Sequence, residues 1–322
     1  MRVFIARQIE AELDQAVSEA LEWIEWEKIV GRGARLAIKP NFTYPRYKQG
    51  VTTSSLLLEA LIRVFSTRTG HISIVESDGG LRAWTAEEAF RGHGIEALLR
   101  RYDIRVVNLT HANKVGTPIP GCDGRIRIDL PRILLDETDV MVTVPVLKTH
   151  AHTHVSLGLK NLWGCIPSPN RLLYHYALVD VLVGLAQLFR PRISVLDGIW
   201  GLDGLGPMYG NPIHLNTFVV SPDLGAGEIV GCRLMGIDYR GVEHLRVAEK
   251  AGLLPPEEDI ELNSPLKSDM VSHRFIPKQD LRQFLAYYLS FKSPTLAWLV
   301  YISPLSRVKD AVVRVLQPDR LK

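Results

Sequence analysis

The sequence predicts an α/β protein with a mostly parallel sheet that carries helices on both faces, plus a helical C-terminal extension. Short β-branched runs alternate with stretches of helical periodicity through most of the chain. This alternation is typical of β-α-β units, whose crossover helices cover the faces of a parallel sheet. With 322 residues, of which 46% are apolar, the chain can enclose a core of that size.

The N-terminal part of the chain contains a regular β-α-β-α-β series. Strands are predicted at 3–6, 34–40 and 71–77, and helices at 9–28 and 52–70. The second helix should end at Gly70, a residue that commonly follows a helix C-terminus. The series predicts a parallel sheet with helices packed on its faces.

The middle of the chain continues the alternation. A helix is predicted near 85–101, a strand at 104–109 and an antiparallel edge hairpin around 125–131. Residues 139–148 are almost uninterrupted in apolar character, which is typical of a central parallel strand buried on both faces. Because ligands of open α/β sheets bind beyond the carboxyl ends of strands, the residues that follow are expected to form a site.

Further elements complete the predicted α/β region. They are helices at 156–164 and 174–189, strands at 192–198 and 215–221, and a glycine-rich loop at 198–212. The loop is interpreted either as a lid over a ligand or as a plain connector. A helix should then start with Ser221 as its N-cap and Pro222 in its first position.

A change of composition near residue 253 divides the chain into two predicted regions. Residues 1–252 are expected to form the α/β core domain, and residues 253–322 a helical C-terminal extension or lid, interrupted by Pro294 and Pro304. The extension is interpreted as a helical lid on the core or, alternatively, as an amphipathic surface for a membrane or a partner. The residues behind the second interpretation are Trp298, Tyr301, Arg307, Lys309 and Arg314.

Composition and motifs exclude several classes of protein. A net charge of +3 gives no argument for nucleic acid binding. Cys122, Cys165 and Cys232 are far apart and form no CxxC, which excludes a ferredoxin-type motif and fits a reducing cytosol. No stretch is long enough for a signal-peptide core or a membrane span, so we expect a cytoplasmic protein without a transmembrane segment. The string "GLDGLG" lacks the dinucleotide spacing, so no NAD is expected.

Polar side chains follow two of the predicted strands. Lys39 and Asn41 alternate onto one side beside a helix start, where they would suit a carboxylate or phosphate; a solvated loop lysine is the plainer alternative. Glu76 and Asp78 end the next strand and could bind a divalent cation or act as a base, although such residues often form turns. These strand ends are therefore candidate parts of one site.

The segment "KTHAHTHVSLGLKN", residues 148–161, suggests a metal site. His150, His152 and His154 would share one face of an extended backbone, and His-x-His pairs bind zinc or iron. Glu76, Asp197 or Asp203 could complete the ligand set if the fold brings one of them near. Whether a metal is bound, and whether it is zinc or iron, stays open.

The same segment also suggests an anion site. Lys148 and Lys160 bring positive charge, and Asn161 brings an amide, so together they favour an anionic ligand. Nearby cations lower the pKa of a histidine, which would keep His150 neutral as a proton donor, base or metal ligand.

Five motifs, in order, resemble the domain of unknown function 362 family. They are "AIKPNF…GVTTSSLLLEALIRVF", "IVESDG", "VPVLKTH…VSLGLKNLWGCIP", "VLDGIWGLDGLGPMYG" and "VVSPDLGAGEIVGCRLMGID", within residues 35–240. The resemblance implies an α/β domain with shared polar positions at Lys39, Asn41, Glu76, Lys148, His150, Lys160, Asn161, Asp197 and Asp223. Many relatives carry a ferredoxin-type iron-sulfur module, but this chain lacks those cysteines and is expected to hold no cluster. Glu228 replaces a usual Asp, and His152 and His154 look like additions of this sequence.

These observations favour an enzyme for a small carboxylate- or phosphate-bearing substrate, with metal assistance left open. The predicted catalytic residues are His150, Lys148 and Asp197, and the predicted substrate-binding residues are Lys39, Asn41, Lys160 and Asn161. The main alternative is a non-catalytic binding or electron-transfer accessory protein that docks an iron-sulfur partner. A metal-delivery protein that uses the histidine row is a third hypothesis.

Overall fold

A ten-stranded sheet lies at the centre of the part of the chain that the structure describes. The computed structural model describes residues 1–7, 9, 12–264, 273–280, 284 and 291–305. The strands are β1 (Arg2–Arg7), β2 (Leu36–Pro40), β3 (Ile72–Glu76), β4 (Ile104–Asn108), β5 (Lys114–Pro118), β6 (Arg127–Pro131), β7 (Val140–Val144), β8 (Val146–His150), β9 (His154–Ser156), β10 (Ile193–Asp203), β11 (Asn211–Ser221) and β12 (Glu261–Leu262). Their order in the sheet is β12-β1-β11-β10-β7-β2-β3-β4, with β8 beside β10 and β9 beside β8.

The sheet is mostly parallel, as the sequence predicts. Strands β4, β3, β2, β7 and β10 pair in parallel, whereas β11 is antiparallel to both β10 and β1. Strands β5 and β6 form an antiparallel hairpin, as predicted around 125–131, but the hairpin is a separate two-stranded sheet and not an edge of the main one.

Helices cover both faces of the sheet. They are α1 (Leu13–Trp23), α2 (Trp26–Ile29), α3 (Ser55–Phe65), α4 (Ala86–Gly92), α5 (Ile95–Arg101), α6 (Arg132–Leu135), α7 (Gly158–Asn161), α8 (Leu178–Phe189), α9 (Leu224–Leu234), α10 (Glu243–Lys250) and α11 (Pro294–Tyr301). Leu36 and Ile38 of β2 pack in one apolar core with α1 and α3, and Ala37 packs in the other with α8 and α9. Each buried strand contributes to both cores because successive side chains point to opposite faces.

The apolar run at 139–148 forms two strands, so the prediction of one continuous strand was wrong. Pro145 has no amide hydrogen for the sheet and separates β7 from β8. Strand β8 pairs with the distal part of β10 and with β9. The break therefore carries Lys148 and His150 beyond the carboxyl end of β7.

Most of the predicted glycine-rich loop at 198–212 is a β-hairpin. Strand β10 continues to Asp203, and β11 begins at its partner Asn211. A side chain at Gly198 would start only 2.7 Å from Leu147, and one at Gly201 only 2.8 Å from Phe275. These glycines permit close packing inside a strand, which a composition-based reading mistakes for a loop.

Two other predicted boundaries shift. The N-cap of α9 is Asp223, whose side chain accepts a hydrogen bond from Ala226 N–H at 2.8 Å, so the Ser221 cap was misplaced. The C-terminal region is also not purely helical where it is described. Strand β12 pairs with β1, and Asn263 exchanges hydrogen bonds with the backbone of Ile5. The extension beyond residue 252 thus adds an edge strand to the core sheet.

One described segment has the length and apolar character of a membrane span. It is Arg171–Phe189, and nearly half of its most apolar stretch is buried inside the molecule. Its helical part, α8, buries Val181, Leu182 and Leu185 in the core. In the predicted helical region at 280–317, α11 is described, and Arg307, Lys309 and Arg314 lie outside the described residues.

Candidate functional site

A cleft of about 340 Å³ opens at the carboxyl edge of the parallel strands. Strands β2 and β3 end in it, β8 crosses it, and α7 with the segment 162–175 forms the opposite wall. Its polar lining consists of Lys39, Asn41, Glu76, Ser77, Lys148, His150, Ser156, Lys160, Asn161, Arg171 and His175, together with the less polar Thr43, Trp84 and Trp163. The structure therefore brings the predicted lysines, both asparagines, Glu76 and His150 to one place.

Lys39 and Glu76 form a buried ion pair in the wall of the cleft. Lys39 Nζ donates to Glu76 Oε2 at 2.8 Å and to the carbonyl of Pro40 at 2.7 Å. The Glu76 carboxylate also accepts the backbone N–H groups of Phe42 and Ser77, at 3.1 and 3.0 Å. Glu76 is thus the counterion of Lys39, and its oxygens are engaged by the protein itself.

Lys148 is a fully buried lysine without a carboxylate partner among the described residues. Its Nζ donates to the carbonyl of Val51 at 2.7 Å and to Asn41 Oδ1 at 3.3 Å. Burial, and then the charges of Lys160 and Lys39, lower the pKa of the Lys148 amine well below its ordinary value. A buried ammonium that lacks a counterion is costly, so a ligand that brings negative charge would be favoured here.

His150 ends β8 and is oriented by the turn that follows. Its Nδ1 accepts a hydrogen bond from the backbone N–H of His152 at 3.1 Å, so a neutral ring carries its proton on Nε2. Burial, and then the charges of Lys160, His152 and Lys148, lower the pKa of His150 well below its ordinary value. The ring is therefore neutral near pH 7 and can donate from Nε2 to an oxygen of a bound molecule.

Lys160 and Arg171 add positive charge on the opposite wall. Lys160 Nζ lies 5.3 Å from the ring centroid of Trp163, a distance typical of a cation–π contact. Burial, and then the charge of Arg171, lower the pKa of Lys160 to about 7. Arg171 is fixed by hydrogen bonds to the Asp78 carbonyl at 2.8 Å and to Ser77 Oγ at 3.2 Å.

Basic side chains outnumber acidic ones in the lining of the cleft. They are Lys39, Lys148, Lys160 and Arg171, against one carboxylate, Glu76, which is already paired. Burial disfavours the charged form of an amine, and neighbouring positive charges disfavour it further. Both effects lower the pKa of Lys148 and of Lys160. An anion in the cleft would relieve this repulsion.

The three-histidine metal site is not formed. The chain turns at residues 151–153, and His150 and His154 become cross-strand partners in a tight β8–β9 hairpin, so the extended backbone that the prediction required is absent there. His152 and His154 line a neighbouring cavity of about 230 Å³. In the described part of the chain, no group of three or more His, Cys, Asp or Glu side chains is placed to hold a metal ion. These donors, Glu76 included, therefore do not fit the predicted zinc or iron site.

Asp197 lies outside the cleft, which corrects its predicted catalytic role. Its carboxylate accepts a hydrogen bond from the backbone N–H of Ser54, directly before α3, at 2.7 Å. It accepts a second one from the backbone N–H of Ile199, on β10, at 3.0 Å. Burial raises the pKa of Asp197 to about 6, against the lowering effect of these hydrogen bonds. Asp197 thus joins β10 to α3.

The two asparagines hold the walls of the cleft together. Asn161 Nδ2 donates to the carbonyl of Lys39 at 3.0 Å and to Thr143 Oγ1 at 2.9 Å, so both of its amide hydrogens are used. Asn41 Oδ1 accepts from Lys148 Nζ. The structure therefore gives Asn161 a positioning role, in place of the predicted donation of its amide to the substrate.

Glu228 supports the wall from behind. It is fully buried on α9, and its Oε1 accepts the backbone N–H of Leu159 at 2.7 Å, at the start of α7. Burial raises the pKa of Glu228 to about 8, which keeps the side chain protonated near pH 7. Helix α7, with Lys160 and Asn161, is thus held by a neutral carboxyl group.

Sequence reasoning missed Arg171, His175 and Trp163 as parts of the cleft. Arg171 and His175 lie in a 3₁₀ helix, Arg171–Ala177, directly before α8. The polar string "SPNRLLYHY" before an apolar helix was an available signal, because Arg and His near a Pro-Asn turn are unusual in a buried connection.

Comparisons with known proteins show which family and which proteins this chain is similar to. A model of the family described as Domain of unknown function (DUF362) matches residues 36–233. The thylakoid-associated protein sll1697 of Synechocystis sp. is 27% identical over 242 residues, which are 73% of this chain and 72% of that protein. The lactate racemase apoprotein from Thermoanaerobacterium thermosaccharolyticum is similar with a TM-score of 0.48 and 15% identity, over 70% of this chain and 55% of the racemase. A protein from Thermotoga maritima is similar with a TM-score of 0.39 and 14% identity, over 74% of this chain and 59% of the Thermotoga chain.

Proposed function

Because the chain belongs to the family described as Domain of unknown function (DUF362), whose name assigns no reaction, we propose a function from the cleft itself. The protein is an enzyme that binds a small carboxylate- or phosphate-bearing substrate and uses His150 for proton transfer. The observation that carries this proposal is the excess of four cationic side chains over one paired carboxylate in a cleft of about 340 Å³.

The division of roles follows from the contacts. Lys148, Lys160 and Arg171 are the basic groups that an anion can neutralise, because none of the three forms an ion pair with a carboxylate in the described part of the chain, whereas Lys39 is paired with Glu76. His150 lines the same cleft with a neutral ring whose Nε2–H is directed away from its Nδ1 contact, so it can donate a hydrogen bond to a substrate oxygen. After the ring has taken up a proton, the imidazolium can transfer one to that oxygen. A bound anion also raises the pKa of this ring, which makes proton uptake easier.

A cleft of this depth supports catalysis better than the alternative of a docking accessory protein. Lys39, Lys148 and His150 are nearly completely buried, at 1%, 1% and 7% exposure, and a flat docking surface would leave its charges at the rim. No step is routed through a metal, because the described His, Cys, Asp and Glu side chains gather no suitable ligand set.

Calorimetric titration tests the binding step. The probes are inorganic phosphate, small phosphorylated compounds, and mono- and dicarboxylates, each titrated into the wild-type protein and into Lys148→Gln, with the exposed Lys250→Gln as the matched control. We expect at least one class to bind and to lose on the order of ten-fold or more in affinity in Lys148→Gln alone. Equal affinities in all three proteins would contradict the proposal.

Turnover is tested separately. The protein is incubated with a pool of small anions, and their consumption is followed by mass spectrometry in the wild type and in His150→Asn. A compound that the wild type consumes and the variant binds but does not consume is the expected result. If the wild type binds an anion but consumes none, the protein is a binding protein and the proposal of an enzyme is wrong.

A further inference from the structure

Exposed apolar side chains are concentrated near the C-terminus. Of the thirteen large apolar side chains that are exposed in the described part of the chain, six lie within residues 276–305. They are Ile276, Phe284, Leu296, Trp298, Leu299 and Leu305. Exposed apolar residues scattered singly need no explanation, but three on one short helix, Leu296, Trp298 and Leu299, are a candidate interaction surface.

Helix α11 presents three of these side chains outward. Ala297 is 1% exposed and faces the molecule, while the rings of Phe291 and Tyr301 stack at 5.6 Å and Phe291 stacks on His175 at 4.4 Å. This aromatic stack fixes one side of the helix against the 171–177 segment. Leu296, Trp298 and Leu299, at 43%, 47% and 39% exposure, lie on the other side and meet solvent.

The sequence around this surface is basic. Lys292 is exposed directly before α11. The last seventeen residues, "SRVKDAVVRVLQPDRLK", carry five Lys or Arg and two Asp, a net charge of +3 that equals the net charge of the whole chain. A short apolar surface that contains Trp298 and is followed along the sequence by clustered basic residues has the chemistry of a segment that lies in the interface of an anionic bilayer.

We propose that the apolar surface of residues 294–305, defined by Leu296, Trp298, Leu299 and Leu305, docks this protein onto an anionic lipid bilayer. The net positive charge of the sequence after Leu305 attracts the anionic headgroups, and the four apolar side chains enter the boundary between headgroups and acyl chains. A second copy of the chain is the less fitting occupant, because it would bring a sequence with the same net positive charge after Leu305, whereas an anionic bilayer brings the opposite charge. The docking does not depend on the chemistry of the cleft.

Vesicle co-sedimentation of the full chain tests this proposal. The probes are vesicles of phosphatidylcholine, with and without phosphatidylglycerol, at low and high salt. We expect binding to the vesicles that contain phosphatidylglycerol, weaker by on the order of ten-fold without that lipid or at high salt. Equal binding to both kinds of vesicle, or to neither, would overturn the proposal.

A triple variant tests the surface itself. Leu296→Ser, Trp298→Ser and Leu299→Ser together should reduce vesicle binding on the order of ten-fold or more, because the buried apolar area is lost. The matched control is Leu56→Ser with Leu99→Ser, two exposed leucines on other helices, at 68% and 37% exposure. Equal losses in both variants, or a wild-type dimer that the triple variant dissociates while vesicle binding persists, would refute the assignment.

Discussion

Lys148 should weaken the free protein and strengthen the binding of an anion. Lys148→Met keeps the length of the side chain and removes its charge, although the carbonyl of Val51 loses a donor. We expect the unfolding free energy of the free protein to stay within about 1 kcal/mol of the wild-type value or to rise, because a buried, unpaired ammonium is removed. Anion affinity should fall on the order of ten-fold. Denaturant unfolding and calorimetric titration measure the two quantities.

The opposite signs separate a binding residue from a structural one. Lys250→Met, on the exposed face of α10, should change neither quantity and is the control. If Lys148→Met lost several kcal/mol of stability together with its affinity, Lys148 would be a structural residue, and the cleft would need another anion ligand.

At the scale of single residues, the sequence predicted the side chains that follow strands. Lys39 and Lys148 could be found because strand ends in a parallel sheet meet at one edge. Arg171 could not be placed in the same way, since it reaches the cleft from a 3₁₀ segment by donating hydrogen bonds to the Ser77 hydroxyl and the Asp78 carbonyl. Asp197 also follows apolar strand residues, but only the fold shows that its carboxylate turns toward Ser54.

At the scale of elements, the carboxyl of Glu228 controls how firmly α7 is held. Its pKa is about 8 in the folded protein and close to 4.5 in the unfolded chain, so between these values the folded state binds more protons. Stability therefore falls as pH rises from 4.5 to 8. In Glu228→Gln this loss should disappear, and the variant should exceed the wild type at pH 8 by on the order of 2 kcal/mol. Urea unfolding at pH 5 and pH 8 measures the difference.

The control for this element is Glu258→Gln, at an exposed position. It should show the pH dependence of the wild type. A Glu228→Gln protein that loses stability between pH 5 and pH 8 as steeply as the wild type would mean that Glu228 is ionised in the folded state.

Helices and strands were predicted well where the hydrophobic periodicity of the local sequence determines them. They were predicted poorly where contacts with distant residues determine the structure. The strands at 34–40 and 71–77 and the helix at 52–70 agree with β2, β3 and α3 within a few residues. The apolar run at 139–148 hid a break, because Pro145 disturbs hydrogen bonding without changing hydrophobicity. Gly198 and Gly201 suggested a loop. They are glycines in a strand because the side chains of Leu147 and Phe275, from distant parts of the chain, leave no room for a Cβ atom.

At the scale of the whole molecule, the order of the strands in the sheet could not be predicted from the sequence. Strands β2, β7 and β10 are all short apolar runs, and nothing in their composition says that β7 lies between the other two. That order is nevertheless what places Lys39, on β2, and Lys148, on β8, at a common cleft. The class of fold could be predicted, but the convergence of the cations depends on long-range pairing.

Because the basic side chains meet in one cleft, the stabilisation of the protein by a bound anion should change with pH. The pKa of Lys160 is about 7 in the folded protein, below its ordinary value of 10.5, so between these values the unfolded chain binds more protons. This group therefore makes the free protein more stable as pH rises above 7. A bound anion prefers the charged amine and raises its pKa, so the gain in Tm that the anion gives should shrink as pH rises from 7 to 9.

Thermal unfolding with and without a saturating anion, at pH 7 and pH 9, measures this gain. In Lys160→Arg the side chain stays charged at both values, so the gain should be nearly the same at each pH. Lys148 and His150 line the same cleft and are retained in the variant, which assigns the difference to position 160. A wild-type gain in Tm that is equal at pH 7 and pH 9 would mean that the ligand does not contact Lys160, and that the anion is held by Lys39, Lys148 and Arg171 alone.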